Sequence, residues 1–82
     1  MKYRIKIQQE FDGRNALEQN DARSLPLETL CDVEIDVDGR KQRTEFKKYM
    51  SDYLPVPFGY CLHCKMVRCS DGKEVDYRLV VG

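Results

Sequence analysis

Apolar and polar residues alternate from the start of the chain. Tyr3, Ile5, Ile7 and Phe11 are interleaved with Lys2, Arg4, Lys6 and Glu10, the period-two pattern of a strand with one buried face. Gln9 falls on the inward side, and Asp12-Gly13-Arg14-Asn15 ends the run. A second alternating stretch sets Cys31, Val33, Ile35 and Val37 against Asp32, Glu34, Asp36 and Asp38, and Gly39 closes it. β-Branched residues on one face and carboxylates on the other predict a second strand. From Lys41 to Leu54 the period changes. Phe46, Tyr49, Met50, Tyr53 and Leu54 share one face of a helix, and Pro55 and Pro57 stop it because neither can continue the hydrogen-bond ladder. Between the first two strands, Ala16 to Leu25 offers few apolar side chains and predicts a long surface loop bounded by Pro26.

The last third carries the strongest local signal. Tyr60 to Cys69 and Glu74 to Val81 alternate on either side of Asp71-Gly72, a dipeptide typical of tight hairpins. With Asp71-Gly72 as a two-residue loop, Arg68 faces Val75, Met66 faces Tyr77, Cys64 faces Leu79 and Leu62 faces Val81. That register puts Val75, Tyr77, Leu79 and Val81 in the core. His63, Lys65, Val67, Asp76, Arg78 and Val80 then share the outer face. The whole reads as one α+β domain spanning residues 1–82: an antiparallel four-stranded sheet in β-β-α-β-β order, with the amphipathic helix packed on one face.

Composition narrows the function. Lysine plus arginine and aspartate plus glutamate both number 14, for a net charge of zero, so any phosphate-binding surface must be local. No apolar run approaches the roughly 20 residues of a membrane-spanning helix. The alternating N-terminus lacks a signal-peptide core, which predicts a cytoplasmic protein. Four cysteines in a small chain of that kind read as reduced thiols or metal ligands.

Three constellations carry candidate chemistry. Cys61-Leu62-His63-Cys64, with Cys69 and Cys31, contains a C-x2-C pair that suits Zn²⁺ when a turn aims both thiolates at one ion. Read as part of a strand, the same pair points to opposite faces, and the cysteines are packing residues. Glu34-Ile35-Asp36-Val37-Asp38-Gly39, with Glu45 and Phe46 following, resembles the calcium loop of the EF-hand family. The resemblance implies carboxylate ligation closed by Glu45; the competing reading is an acidic strand, a turn at Asp38-Gly39 and a helix. Arg40, Lys41, Arg43, Lys47 and Lys48, near Tyr49 and Tyr53, form a basic cluster that would suit phosphates and stacked bases, or simply a solvated helix face.

No catalytic grouping is evident. Cys61 and His63 are strand neighbours without an orienting third group, and no glycine-rich phosphate loop occurs. The sequence therefore predicts no enzyme and no obligatory cofactor. It predicts a small protein-interaction module, acting as adaptor, inhibitor or regulator. Contact with a protein partner or a second copy would run through an exposed strand edge or through His63, Lys65, Val67, Asp76, Arg78 and Val80. The alternative is a domain stabilised by zinc on Cys31, Cys61, Cys64 and Cys69, contacting nucleic acid through the basic cluster.

Overall fold

A computed structural model describes residues 1–11 and 27–82. The loop expected over Ala16–Leu25 and the turn expected at Asp12–Asn15 lie outside the described residues. Among these residues four strands form one antiparallel sheet: β1 (Lys2–Phe11), β2 (Glu28–Asp36), β3 (Tyr60–Arg68) and β4 (Glu74–Val81). An α-helix, α1 (Gln42–Ser51), lies between β2 and β3, preceded by a 3₁₀ turn at Gly39–Lys41. Across the sheet the strands run β2-β1-β3-β4, so the spatial order differs from the chain order, and β1 and β3 are interior.

The core forms where three periodic stripes meet. Tyr3, Ile5 and Ile7 of β1, and Leu62, Cys64 and Met66 of β3, are buried with Phe46 and Met50 of α1. Phe46 and Met50 are spaced i, i+4, so both lie on the one helix stripe that faces the sheet. On β2, Val33 and Ile35 pack against this cluster. A bulge opposite Ile7/Gln8 lets both Leu30 and Cys31 pack there as well. The Tyr53 hydroxyl donates to the Leu30 carbonyl at 3.2 Å and so ties the chain after α1 to that bulge.

The β3–β4 connection corrects the expected register. The loop is longer than Asp71-Gly72: the Arg68 amide donates to the Lys73 carbonyl at 2.9 Å, and the Gly72 amide donates to the Arg68 carbonyl at 2.8 Å. Gly72 sits at φ 71°, where a side chain would be strained. A further bulge, opposite Met66/Val67, accommodates Val75. As a result Leu62 pairs with Val80, Cys64 with Arg78 and Met66 with Asp76. Every β4 residue beyond the bulge thus faces the side opposite to the one expected.

The turn is held by charge. Asp71 accepts from Arg68 Nε at 3.1 Å and Nη2 at 2.7 Å, and from the Lys73 amide at 3.1 Å. The Arg68 guanidinium, and then the Lys73 amide, hold the Asp71 carboxyl down at about 2, below its ordinary 3.8. A carboxyl depressed on folding contributes stability above its unfolded value, and that contribution is lost as pH falls through the folded value. Asp71→Asn is therefore expected to lower the melting temperature at about pH 5. The difference from the parent should close as pH approaches about 2. Melting curves at both pH values check this; a constant difference would show that the carboxylate charge contributes nothing.

Candidate functional site

One sheet face is covered by α1, and the other presents columns of distinct character. On β2 stand Asp32, Glu34 and Asp36; on β1, Lys2, Arg4 and Lys6, each opposite one of those acids. Arg4 makes a two-pronged contact with Asp32, at 2.7 and 2.8 Å. The guanidinium hydrogen bond holds the Asp32 carboxyl below its usual range, and the N-terminal ammonium at 2.9 Å does the same for Asp36. Next come Cys61, His63, Lys65 and Val67 on β3, paired with β1 through Glu10, Gln8, Lys6 and Arg4. Last come Tyr77, Leu79 and Val81 on β4, which are 45, 52 and 68% exposed.

The six residues expected to form one contact face are divided between two. His63, Lys65 and Val67 stand on the open face. Asp76, Arg78 and Val80 lie on the helix side, because the longer turn and the Val75 bulge shift the pairing by one residue. Asp76 lies 3.6 Å from Arg78 Nε, and its Oδ2 is buried with no hydrogen-bond partner among the described residues. Tyr77, Leu79 and Val81, expected in the core, take the vacated places on the open face.

The four cysteines do not converge. Cys64 is fully buried in the core cluster, opposite Ile7 of β1, while Cys61, three residues earlier, is on the other face. Cys69 follows β3 at its far end, about 27 Å along the strand from Cys61 at strand rise, with its sulfur 3.7 Å from Glu34. Cys31 is half-buried on edge strand β2. None of the four is in a disulfide. The zinc set Cys31, Cys61, Cys64 and Cys69 is thus dispersed by strand alternation. Burial pushes the Cys64 thiol up to about 11, so almost no thiolate forms at neutral pH. A thiol reagent is expected to modify exposed Cys69 in the native protein and to reach Cys64 only as fast as the protein unfolds. Mass analysis of digests over time checks the order, and early Cys64 labelling would contradict its burial.

The other two constellations also resolve. Glu34 and Asp36 belong to β2, and Ile35 between them packs on the core. Asp38 caps the 3₁₀ turn by accepting from the Arg40 amide at 2.9 Å, and Glu45 pairs with Lys48. These carboxylates splay along a strand–turn–helix unit and do not encircle a cation position. Arg40, Lys41, Arg43, Lys47 and Lys48 are exposed on the 3₁₀ turn and α1. Tyr49 and Tyr53 turn toward the core, so they supply no open stacking platform beside the cluster.

Sequence reasoning missed the grouping at the β1–β3 seam. Glu10 Oε1 lies 2.9 Å from His63 Nε2, and His63 Nδ1 lies 2.8 Å from the Tyr77 hydroxyl. The Cys61 sulfur is 3.8 Å from Glu10 Oε1 and 3.9 Å from His63 Nε2. Glu10 stands opposite Cys61, and Tyr77 is diagonal to His63 across β3–β4. The separation of 53 residues between Glu10 and His63 hides this contact from any local pattern.

Among the described residues β2 and β4 are the edge strands, and they differ sharply. The Gly82 amide donates to the Tyr60 carbonyl, which sets the alternation on β4. Residues 76, 78 and 80 turn their main-chain groups toward β3, while Tyr77, Leu79 and Val81 turn theirs outward. No helix among the described residues is long and apolar enough to cross a membrane. No family model, curated protein or solved structure matches the chain.

Proposed function

We propose that this chain is a small protein-interaction module, an adaptor, inhibitor or regulator, that engages its partner by strand addition at the β4 edge. The partner is a second copy of the chain. One observation carries the reading: Tyr77, Leu79 and Val81 combine outward main-chain groups with exposed apolar side chains. Strand addition uses main-chain bonds for affinity and alternate side chains for selection.

The pattern of β4 is self-complementary. In antiparallel pairing about a two-fold axis at Leu79, the two copies of Leu79 face each other, and Tyr77 meets Val81 of the other copy. Those pairs exchange main-chain hydrogen bonds on both sides of the axis. Arg78 then falls opposite Val80, so no like charges meet at the centre. The β2 edge is unsuited to the same use. There the outward positions are Asp32, Glu34 and Asp36, whose carboxylates would repel a copy of themselves. A single strand pair is a small interface, so a dissociation constant on the order of 100 µM is expected. The cytoplasm is the proposed setting, since its reducing poise keeps thiols such as Cys64 unpaired.

Sedimentation equilibrium tests the proposal. Between about 1 µM and 1 mM, the range set by that affinity, the mass should rise from monomer to dimer. A monomer at every concentration would overturn the choice of partner.

A further inference from the structure

The geometry points to a divalent metal site, with Zn²⁺ as the preferred ion, formed by Glu10, buried Cys61 and His63 on the sheet face opposite α1. It is independent of strand addition at β4, and of the dispersed four-cysteine set it retains only Cys61. Among the described residues these three donors lie within 4.8 Å of one another.

The distances fit a tetrahedral ion. With Zn–N and Zn–O near 2.0 Å and Zn–S near 2.3 Å, the edges of a tetrahedron are about 3.3 Å between nitrogen and oxygen and about 3.5 Å from sulfur to either. The sulfur is already 3.8 Å from Glu10 Oε1 and 3.9 Å from His63 Nε2. The Glu10–His63 pair, at 2.9 Å, need open by only about 0.4 Å to reach the edge of that tetrahedron. That is a small movement for a half-exposed glutamate side chain.

The surrounding strands fix the donors. Glu10 and Cys61 are directly paired across β1–β3, and His63 follows two residues later on the same face. Tyr77 supplies the outer support. Its hydroxyl oxygen, 2.8 Å from His63 Nδ1, accepts the Nδ1–H proton and so leaves the Nε2 lone pair for the metal. Metal binding takes the Nδ1–H tautomer of His63 and releases the Cys61 thiol proton to solvent. Imidazole, thiolate and carboxylate together favour zinc over magnesium or calcium. Among the described residues the site supplies three protein donors, and a tetrahedral ion takes a fourth.

The test uses the full chain, reduced and free of chelator. It is kept at low micromolar concentration so that dimer formation does not enter. Co²⁺ titration should give one equivalent of binding, with a near-ultraviolet thiolate charge-transfer band and visible bands of tetrahedral intensity, displaced by Zn²⁺. Cys61→Ser should abolish the charge-transfer band, while Cys31→Ser and Cys69→Ser leave it unchanged. His63→Ala and Glu10→Gln should each weaken Zn²⁺ binding about 100-fold or more, measured against a chromophoric chelator, and Tyr77→Phe about 10-fold. Tyr77 is exposed, so that variant reports on the site even where a ligand variant folds poorly. No cobalt band, or a band that survives Cys61→Ser, would overturn the site.

Discussion

Phe46→Ala is expected to remove a large part of the folding stability, about 3–5 kcal/mol. Phe46 is 1% exposed and is one of only two buried residues on the helix. Truncating a buried phenylalanine costs about 3–5 kcal/mol, through lost transfer energy and the cavity left behind. A domain of this size has in all about 4–12 kcal/mol. The loss is not confined to one side chain. A ten-residue helix is not stable alone in water, so α1 persists because Phe46 and Met50 hold it on Ile5, Ile7, Cys64 and Met66. Weakening that contact exposes the covered sheet face as well. Urea unfolding followed by circular dichroism should show a loss of about 3–5 kcal/mol for Phe46→Ala, and of only about 1 kcal/mol for Phe46→Leu, which keeps most of the volume. A change below about 1 kcal/mol for the alanine variant would mean that α1 does not anchor the core.

Leu79→Lys is expected to abolish self-association while leaving the fold intact. The side chain is 52% exposed on the open face, and such surface changes normally alter stability by less than about 0.5 kcal/mol. In the paired strands, however, the two copies of this position face each other across the two-fold. The substitution removes an apolar pair and sets two ammonium groups side by side, each effect counted at the symmetry axis. A combined cost of about 3 kcal/mol corresponds to a dissociation constant raised more than 100-fold. Leu79→Ile keeps the apolar contact and should stay dimeric. Sedimentation of both variants reads the difference. Unchanged association in Leu79→Lys would move the interface away from β4.

Much of the fold is legible in the chain itself, and the exceptions have physical causes. β1 and β2 each pair one apolar stripe with one charged stripe, so their inward faces are unambiguous. The helix was equally plain from Phe46, Tyr49, Met50 and Tyr53, although its α-helical span ends at Ser51. β4 misled because its more apolar stripe, Val75, Tyr77, Leu79 and Val81, is largely the one left in solvent. Periodicity reports which residues share a face; it does not report which face is covered. The deciding information lay in the turn, where Arg68 and Asp71 pair three residues apart and Gly72 adopts positive φ. Those features lengthen the loop, and the Val75 bulge completes the shift. The Glu10–Cys61–His63 grouping was illegible for another reason: it depends on β1 lying beside β3, a matter of strand order that local patterns do not encode.

The most direct test of strand addition at β4 is hydrogen exchange at single amides, measured by NMR at concentrations below and above the dissociation constant. The amides of Tyr77, Leu79 and Val81 point away from β3 and should exchange freely in the monomer. In the dimer they become donors to the second strand. These three are expected to slow together as concentration rises, while the outward amides of Asp32 and Glu34 on β2 do not change. Protection appearing on β2, or rates at Tyr77, Leu79 and Val81 that ignore concentration while the mass doubles, would contradict strand addition at β4.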